Sequence, residues 1–281
     1  MRYGLDVPTT GDYADPRTLA ALATDAEAAG WDGFFLWDVL LGDEDTPTPI
    51  LDPWIALTAI ALRTTHIKIG LFVTPLARHR PWLVARRLAN LDHLSAGRVI
   101  CAAGLGHRER DFTAFGEAGD PAMRASELDE ALTILSGLWT SDHFTFTGNH
   151  YTLSDVTLLP RPVQSPRIPL WIAGGWPHRA PFRRAARWDG VCLKSYHQQQ
   201  RRPLSPADFR ACLAYVRQQR TTSAPFDVIM SGDTFDMDQR AASHLVRPFA
   251  EAGATWWVEE GLGYTVDEFH ARIRFGPPRT E

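Results

Sequence analysis

The sequence predicts an α/β chain folded as a (β/α)8 barrel, a TIM barrel, with an insertion between its fourth and fifth strands. Three observations carry that expectation. Eight apolar runs of strand length recur along the 281 residues. Each is followed by a longer stretch whose apolar residues step by three or four. One interval, residues 107–167, is too long for a single connection. A doubly wound sheet would need fewer strands and ranks second.

The first strand is read at Tyr3–Val7, and Asp15-Pro16 opens a helix on Leu19, Leu22, Ala26 and Ala29 that Gly30 closes. Gly33–Trp37 is the second strand, and Asp52-Pro53 begins its helix. Ile67–Val73 is the third, followed by Arg80-Pro81 and an apolar face of Val84, Leu88 and Leu91. Proline suits these first turns because a helix start has no N–H to lose there. Arg98–Ala103 is the fourth strand. Within the long interval, Ala122–Trp139 reads as a helix, and FTFTGNHYTL reads as a hairpin turning at Gly148-Asn149. A βα insertion lies over the C-terminal mouth of a barrel, so residues 107–167 are expected to form a lid. Strands at Ile168–Ala173, Gly190–Leu193, Phe226–Ser231 and Thr255–Glu259 complete the eight. Their helices carry Phe209, Leu213 and Val216; then Ala242, Leu245, Val246 and Phe249, closed by Gly253; then Val266, Phe269 and Ile273. Residues 1–281 are read as one domain, with 276–281 as a flexible tail.

A net charge of -4 gives no basic footprint for nucleic acid and no polybasic stretch for a membrane surface. MRYGLDVPTT enters the first strand without an apolar signal segment, so the expected location is the cytoplasm. Cys101, Cys192 and Cys212 are odd in number and widely spaced, and read as small core residues.

Function in a barrel is sought where the strands end. Those positions are rich in glycine and aromatics and poor in clustered His and carboxylates, so no metal site is expected; a G-x-S-x-G nucleophile elbow is absent. A phosphate-sugar aldolase or isomerase would want a lysine or a carboxylate pair there, for which Lys194 alone is thin support. The run IPLWIAGGW stops on Gly174 and Gly175 just before a helix. Two readings fit: a tight turn, and an anion site where backbone N–H groups approach a phosphate.

DPWIALTAIALRTTHIKIGLFVTPLARHRPWLVARRLANLDHLSAGRVICAAGLG, followed by RPVQSPRIPLWIAGG, resembles the luciferase-like flavin and deazaflavin oxidoreductases over most of residues 1–195. The resemblance implies a barrel that binds FMN or coenzyme F420 at the strand ends. It implies a non-prolyl cis peptide at Leu71-Phe72, bulging against one ring face, with Thr74 and Asp38 as polar contacts to the ring. It places the coenzyme phosphate at Gly174 and Gly175, which decides the turn in favour of the anion, with Trp176, His178, Lys194 and Ser195 nearby. Asp92, Ser95, Gly97 and Arg98 read as a structural helix stop and turn.

Two positions depart from the sugar-phosphate dehydrogenase branch of that family: Val39 stands where a histidine is expected, and His107 where a glutamate is expected. Sugar-phosphate oxidation is therefore not the expected reaction. His107 and Asp38 remain as catalytic candidates, and Trp37, Val39, Trp176 and Tyr196 as the substrate pocket. The expected activity is hydride transfer between F420 and a small organic substrate. An FMN-dependent monooxygenase is the alternative, and a flavin-binding protein without catalysis is a remote third. Only Lys68 and Lys194 among 29 basic residues are lysines, a bias of GC-rich coding that leans the choice toward F420. The resemblance also points to a homodimer and to a flavin or F420 reductase as the supplier of reduced coenzyme.

Overall fold

The computed structural model describes residues 1–42, 47–106, 108–117, 119–197, 199–200 and 202–280. The chain alternates from the start: β1 (Arg2–Val7), α1 (Pro16–Ala28), β2 (Gly33–Leu36), α2 (Pro53–Arg63), β3 (Lys68–Pro75), α3 (Pro81–Leu94) and β4 (Val99–Gly104). The long interval holds α4 (Arg110–Thr113), α5 (Pro121–Thr140), β5 (Phe144–Thr147) and β6 (Thr152–Val156). Alternation resumes with β7 (Leu170–Gly174), α6 (Arg179–Ala185), β8 (Gly190–Leu193), the short pair β9 (Tyr196–His197) and β10 (Arg202–Pro203), and α7 (Pro206–Gln219). It ends with β11 (Asp227–Gly232), α8 (Gln239–Ala252), β12 (Trp256–Glu260) and α9 (Val266–Phe275). Eight strands close a parallel barrel in the order β1, β2, β3, β4, β7, β8, β11, β12, with β12 pairing back onto β1. This is the (β/α)8 fold that the sequence predicts. No helix among the described residues is long and apolar enough to cross a membrane.

Caps fix the helix starts. The Asp15, Asp52 and Asp120 side chains each accept two first-turn N–H groups ahead of a proline, and Ser205 and Thr265 form reciprocal capping boxes. Gly253 ends α8 in the left-handed region at φ 108°.

Strand alternation sorts the side chains into two layers. Phe35, Ile100, Trp171, Cys192, Ile229, Trp256 and Val258 fill the barrel, with Phe35, Trp171 and Trp256 in mutual ring contact at 5.3 to 6.0 Å. Glycines admit those rings. A Cβ on Gly33 would sit 2.6 Å from Phe35, and one on Gly190 2.5 Å from Trp171. The other strand face, with Leu5, Leu36, Ile69, Leu71, Cys101 and Trp257, packs under the helices. Cys101, Cys192 and Cys212 are buried and free, as small core residues.

Arg98 clamps the lower rim. Its buried guanidinium donates to the carbonyls of Ala61, Thr64, Ile67 and Ser95 and to the Thr64 hydroxyl. Asp92, fully buried, accepts both the backbone and the side-chain amide of Gln164. The structural reading of Asp92, Ser95 and Arg98 therefore holds.

The insertion is not one lid. α5 buries Leu128, Leu132, Leu135 and Trp139, packs on α3, and donates the Trp139 indole N–H to Ala85, so it takes the fourth place in the helical ring. The β5–β6 hairpin lies along the outside of α5. Phe144 packs over Gly137, and the Glu130 carboxylate accepts the N–H groups of Asn149, His150 and Tyr151 at its turn. The hairpin does so because α5 is apolar on two sides, leaving Phe144 and Phe146 a flank to cover. Among the described residues of the insertion, Arg108 and Asp111, between β4 and α5, meet the loop after β2 at the mouth. The end of the chain also makes more contact than a flexible tail requires: Pro277 and Pro278 are buried, and the Thr280 N–H donates to the Tyr3 hydroxyl.

Candidate functional site

Alternation identifies the uppermost inward positions of the barrel. Gly4, Phe35, Cys192 and Val258 point inward, so Asp6, Trp37, Lys194 and Glu260, two residues further along their strands, line the mouth. Gly104 and Ala173 face them, and a Cβ on Gly104 would sit 2.9 Å from Val73.

The third strand carries a non-prolyl cis peptide, but at Phe72-Val73 and not at Leu71-Phe72. The register shows why the bulge falls one residue later. Leu71 is still regularly paired with Cys101 and buried in the outer layer, and the ladder resumes only at Thr74 opposite Ala103. Phe72 and Val73 consequently both face the barrel interior. Thr74 is buried, at the position where the ladder resumes.

Asp38 is not a free acid. Arg78, on the loop after β3, pairs with the Asp38 carboxylate and donates to its carbonyl at 3.1 Å, while His79 Nε2 donates to Asp38 Oδ2 at 3.1 Å. The same guanidinium reaches Asp111 at 3.3 Å, and Asp111 accepts the N–H of Leu41 at 3.2 Å. Arg108 donates to the carbonyls of Leu41 and Gly42. The loops after β2, β3 and β4 are thus stapled into one wall, with Val39 half-buried in it. Arg78, His79 and Asp111 were missed by sequence reasoning, although RHRP after TPLA put two basic groups at a strand end. His107 lies outside the described residues.

On the opposite wall Gly174 has a packing reason of its own, for a Cβ there would sit 2.6 Å from Pro181 of α6. The turn from Gly175 to His178 follows, closed by the His178 N–H donating to the Gly175 carbonyl at 3.2 Å. Helix α6 starts only at Arg179 and spans seven residues, so its dipole is short. Trp176 turns its ring onto Phe182 at 5.6 Å, more toward the helix than toward the mouth. His178, Lys194 and Tyr196 are exposed, and Ser195 is half-buried. The structure brings Gly175, Lys194 and Ser195 to one rim, where the Lys194 N–H donates to the Gly174 carbonyl.

Asp6 and Glu260 are not among the site residues that the sequence predicts, although Glu260 is read there as a strand-end position. They are register partners on the adjacent strands β1 and β12. Burial pushes the Asp6 carboxyl well up, the Glu260 charge adds to the rise, and a hydrogen bond from Trp37 opposes it. Burial also raises Glu260, against its hydrogen bond with Ser195 and the attraction of Lys194. The signal was present: in YGLDV and WVEE a carboxylate occupies the inward phase of an otherwise apolar strand. Beside this wall opens a cleft of about 290 Å³ between the loops after β1 and β12, lined by Pro8, Tyr13, Trp37 and Tyr264 among others. No group of three or more His, Cys, Asp or Glu among the described residues is arranged to hold a metal ion.

Residues 2–251 match the family model described as luciferase-like monooxygenase. The chain is similar to an F420-dependent glucose-6-phosphate dehydrogenase of Amycolatopsis mediterranei, 34% identical over 171 residues, 59% of this chain and 50% of that protein. A protein of the same name from Intrasporangium calvum is 29% identical over 263 residues, 88% of this chain and 74% of that protein. An F420-dependent hydroxymycolic acid dehydrogenase of Mycobacterium tuberculosis is 31% identical over 58% of this chain and 45% of its own. The match to the first of these spans only half of its length. Among solved structures, monooxygenase RslO1 from Streptomyces bottropensis superposes with a TM-score of 0.79 at 19% identity, covering 98% of this chain and 97% of its own. An F420-dependent secondary alcohol dehydrogenase in complex with an F420-acetone adduct gives 0.79 at 18% identity, covering 99% and 98%. At such identities these two likenesses speak for the fold.

Proposed function

The chain belongs to the luciferase-like monooxygenase family, and on that premise we propose that it is an oxidoreductase using coenzyme F420 to transfer hydride to or from a small organic substrate. The observation that carries the reading is the bulge between Leu71 and Thr74, which turns two consecutive side chains of one strand toward the barrel interior in a chain whose sequence relatives are named for F420.

The residues present fit such a coenzyme. The bulge offers backbone to a flat ring, Gly104 on the neighbouring strand lacks the Cβ that would meet Val73, and Asp6 Oδ1 is a buried acceptor without a donor among the described residues. Bound there, a reduced deazaflavin supplies hydride. In this reading the Gly175 turn, the Ser195 hydroxyl and the Lys194 ammonium hold the phosphate, with His178 at the outer edge. Phe72 and Val73 support one ring face, with Leu71 and Thr74 fixing the strand behind them. Asp38 acts through its pairing with Arg78, holding the wall formed by the loops after β2, β3 and β4, which excludes water from the ring. Trp37, Val39 and Tyr196 border the substrate, and Trp176 shapes the turn from behind.

Glucose 6-phosphate is not the substrate we propose. The match to the first of those relatives covers half of that enzyme, Val39 replaces the histidine expected at that position, and a single lysine, Lys194, stands at the mouth. The family's description as luciferase-like monooxygenase supports a second reading, an FMN-dependent monooxygenase.

The test is to titrate the purified apo-protein separately with F420 and with FMN, following coenzyme fluorescence. Tighter binding of F420 is expected. Preference for FMN would shift the reading to the monooxygenase, and binding of neither would sink both.

A further inference from the structure

We propose that Asp6 and Glu260 hold one proton between them and form the acid–base pair of the barrel mouth, exchanging that proton as electrons pass between coenzyme and substrate. The role in electron transfer rests on the proposed F420 reading; the shared proton rests on the structure of this chain alone.

The two residues are register partners on β1 and β12, strands that lie roughly 4.8 Å apart, and both occupy the inward phase at the uppermost layer. Among the described residues no arginine pairs with them. The groups facing Asp6 are Glu260 from β12, the Trp37 indole from the end of β2 and, one layer below, the Cys192 thiol of β8. Those facing Glu260 are Ser195 and Lys194 from the end of β8 and Asp233 from the end of β11. Asp6 Oδ1 is closed off from solvent and accepts no hydrogen bond from the described residues. Two carboxylates side by side in a partly dry site, with one ammonium at the rim, cannot both ionise cheaply, so they retain a proton and share it. The neighbouring Glu259 differs: it points outward and is matched by Arg272, Thr234 and Trp257.

In the reducing direction a bound reduced deazaflavin would supply hydride to the electrophilic carbon of a C=O, C=N or C=C group, where a C–H bond would form as the coenzyme C–H bond broke. The π electrons move to the adjacent atom, which takes the shared proton as the carboxyl O–H bond breaks. The substrate gains two electrons and two hydrogens, the coenzyme loses two electrons, and the pair regains its proton from water at the open mouth. Oxidation runs the same steps backward.

The shared proton is read in the apo-protein by carboxyl-selective ¹³C NMR. One of the two carboxyls is expected to titrate far above the ordinary carboxylate range. Asp6→Asn removes the like charge and lowers the Glu260 midpoint, whereas Ser195→Ala removes a hydrogen bond and raises it. Ordinary midpoints for both groups would overturn the proposal, as would a Glu260 midpoint that ignores both variants. The coupling to electrons is read by spectroelectrochemistry of F420 bound to the protein. The potential-against-pH line is expected to change slope at the pair's midpoint in the wild type and to lose that change in Asp6→Asn and Glu260→Gln. Superimposable lines would overturn the acid–base role. Failure of the wild type to bind F420 would overturn it too, together with the proposed function, while the NMR titration still decides the shared proton.

Discussion

Arg78 grips Asp38 twice, pairing with its carboxylate and donating to its backbone carbonyl, while the other arm of the same guanidinium reaches Asp111. All three side chains are at least nine-tenths buried. One cation on the loop after β3 therefore sets the positions of the loops after β2 and β4.

Removing that cation leaves two buried carboxylates without their partner. Arg78→Ala is expected to cost about 3 to 5 kcal/mol of stability, the range for breaking a buried pair by deleting one side. Chemical denaturation measures it. The double variant Arg78→Met with Asp38→Asn should recover part of the loss, because it removes charge on both sides; no recovery would mean that Asp38 is not the main partner.

The two glycines after β7 should respond differently. Gly174→Ala places a Cβ against Pro181 and costs roughly 1 to 3 kcal/mol as overpacking, with coenzyme affinity changed little in the fraction that folds. Gly175→Asp sets a carboxylate at the proposed phosphate turn and should abolish coenzyme binding while the circular dichroism spectrum is unchanged. Unaltered affinity in Gly175→Asp would leave that turn a plain connection.

Stability should depend on pH in two separate windows. Asp6 and Glu260, raised by burial, bind protons more tightly folded than unfolded, so their contribution is present in acid and is lost as pH rises above the ordinary carboxylate range. Asp208 is held low by its hydrogen bonds with Arg202 and Ser205, so its contribution is present near neutrality and is lost only as pH falls below that range. The melting temperature of Asp6→Asn relative to wild type should therefore climb as pH rises above the ordinary carboxylate range. A flat difference would show that Asp6 ionises freely.

The cysteines should be silent. Burial pushes the Cys101 thiol up to about 12 and raises Cys192 well above its usual value, and both lie within the barrel wall. A thiol-reactive chromogenic disulfide should label none of the three in the native protein and all three in denaturant. Rapid labelling under native conditions would place a cysteine at the surface.

Strand and helix positions were legible because burial on two faces leaves periodic marks. Every barrel strand expected from alternation and length is present, most with ends shifted by a residue or two, and the Asp-Pro starts became capped first turns. The site was less legible because its chemistry is made by partners distant in sequence. Asp38 looks like any acid after a strand until Arg78 and His79, some forty residues on, close around it. Asp6 and Glu260 lie at opposite ends of the chain and meet only because the barrel closes. The lid was misplaced because a helix and a hairpin between two strands carry no mark of which end of the barrel they cover; Gly137 under Phe144 settles that in space.

Phe35, Trp171 and Trp256, wedged together across the barrel axis, turn the cylinder into a vessel with a single opening. Whatever enters must leave by the same door, so two ligands that share the cavity obey a stacking order: the one seated deeper arrives first and departs last. A molecule resting on the inner face of the Phe72-Val73 bulge is trapped for as long as another sits above it, and an excess of the outer ligand should slow the release of the inner one.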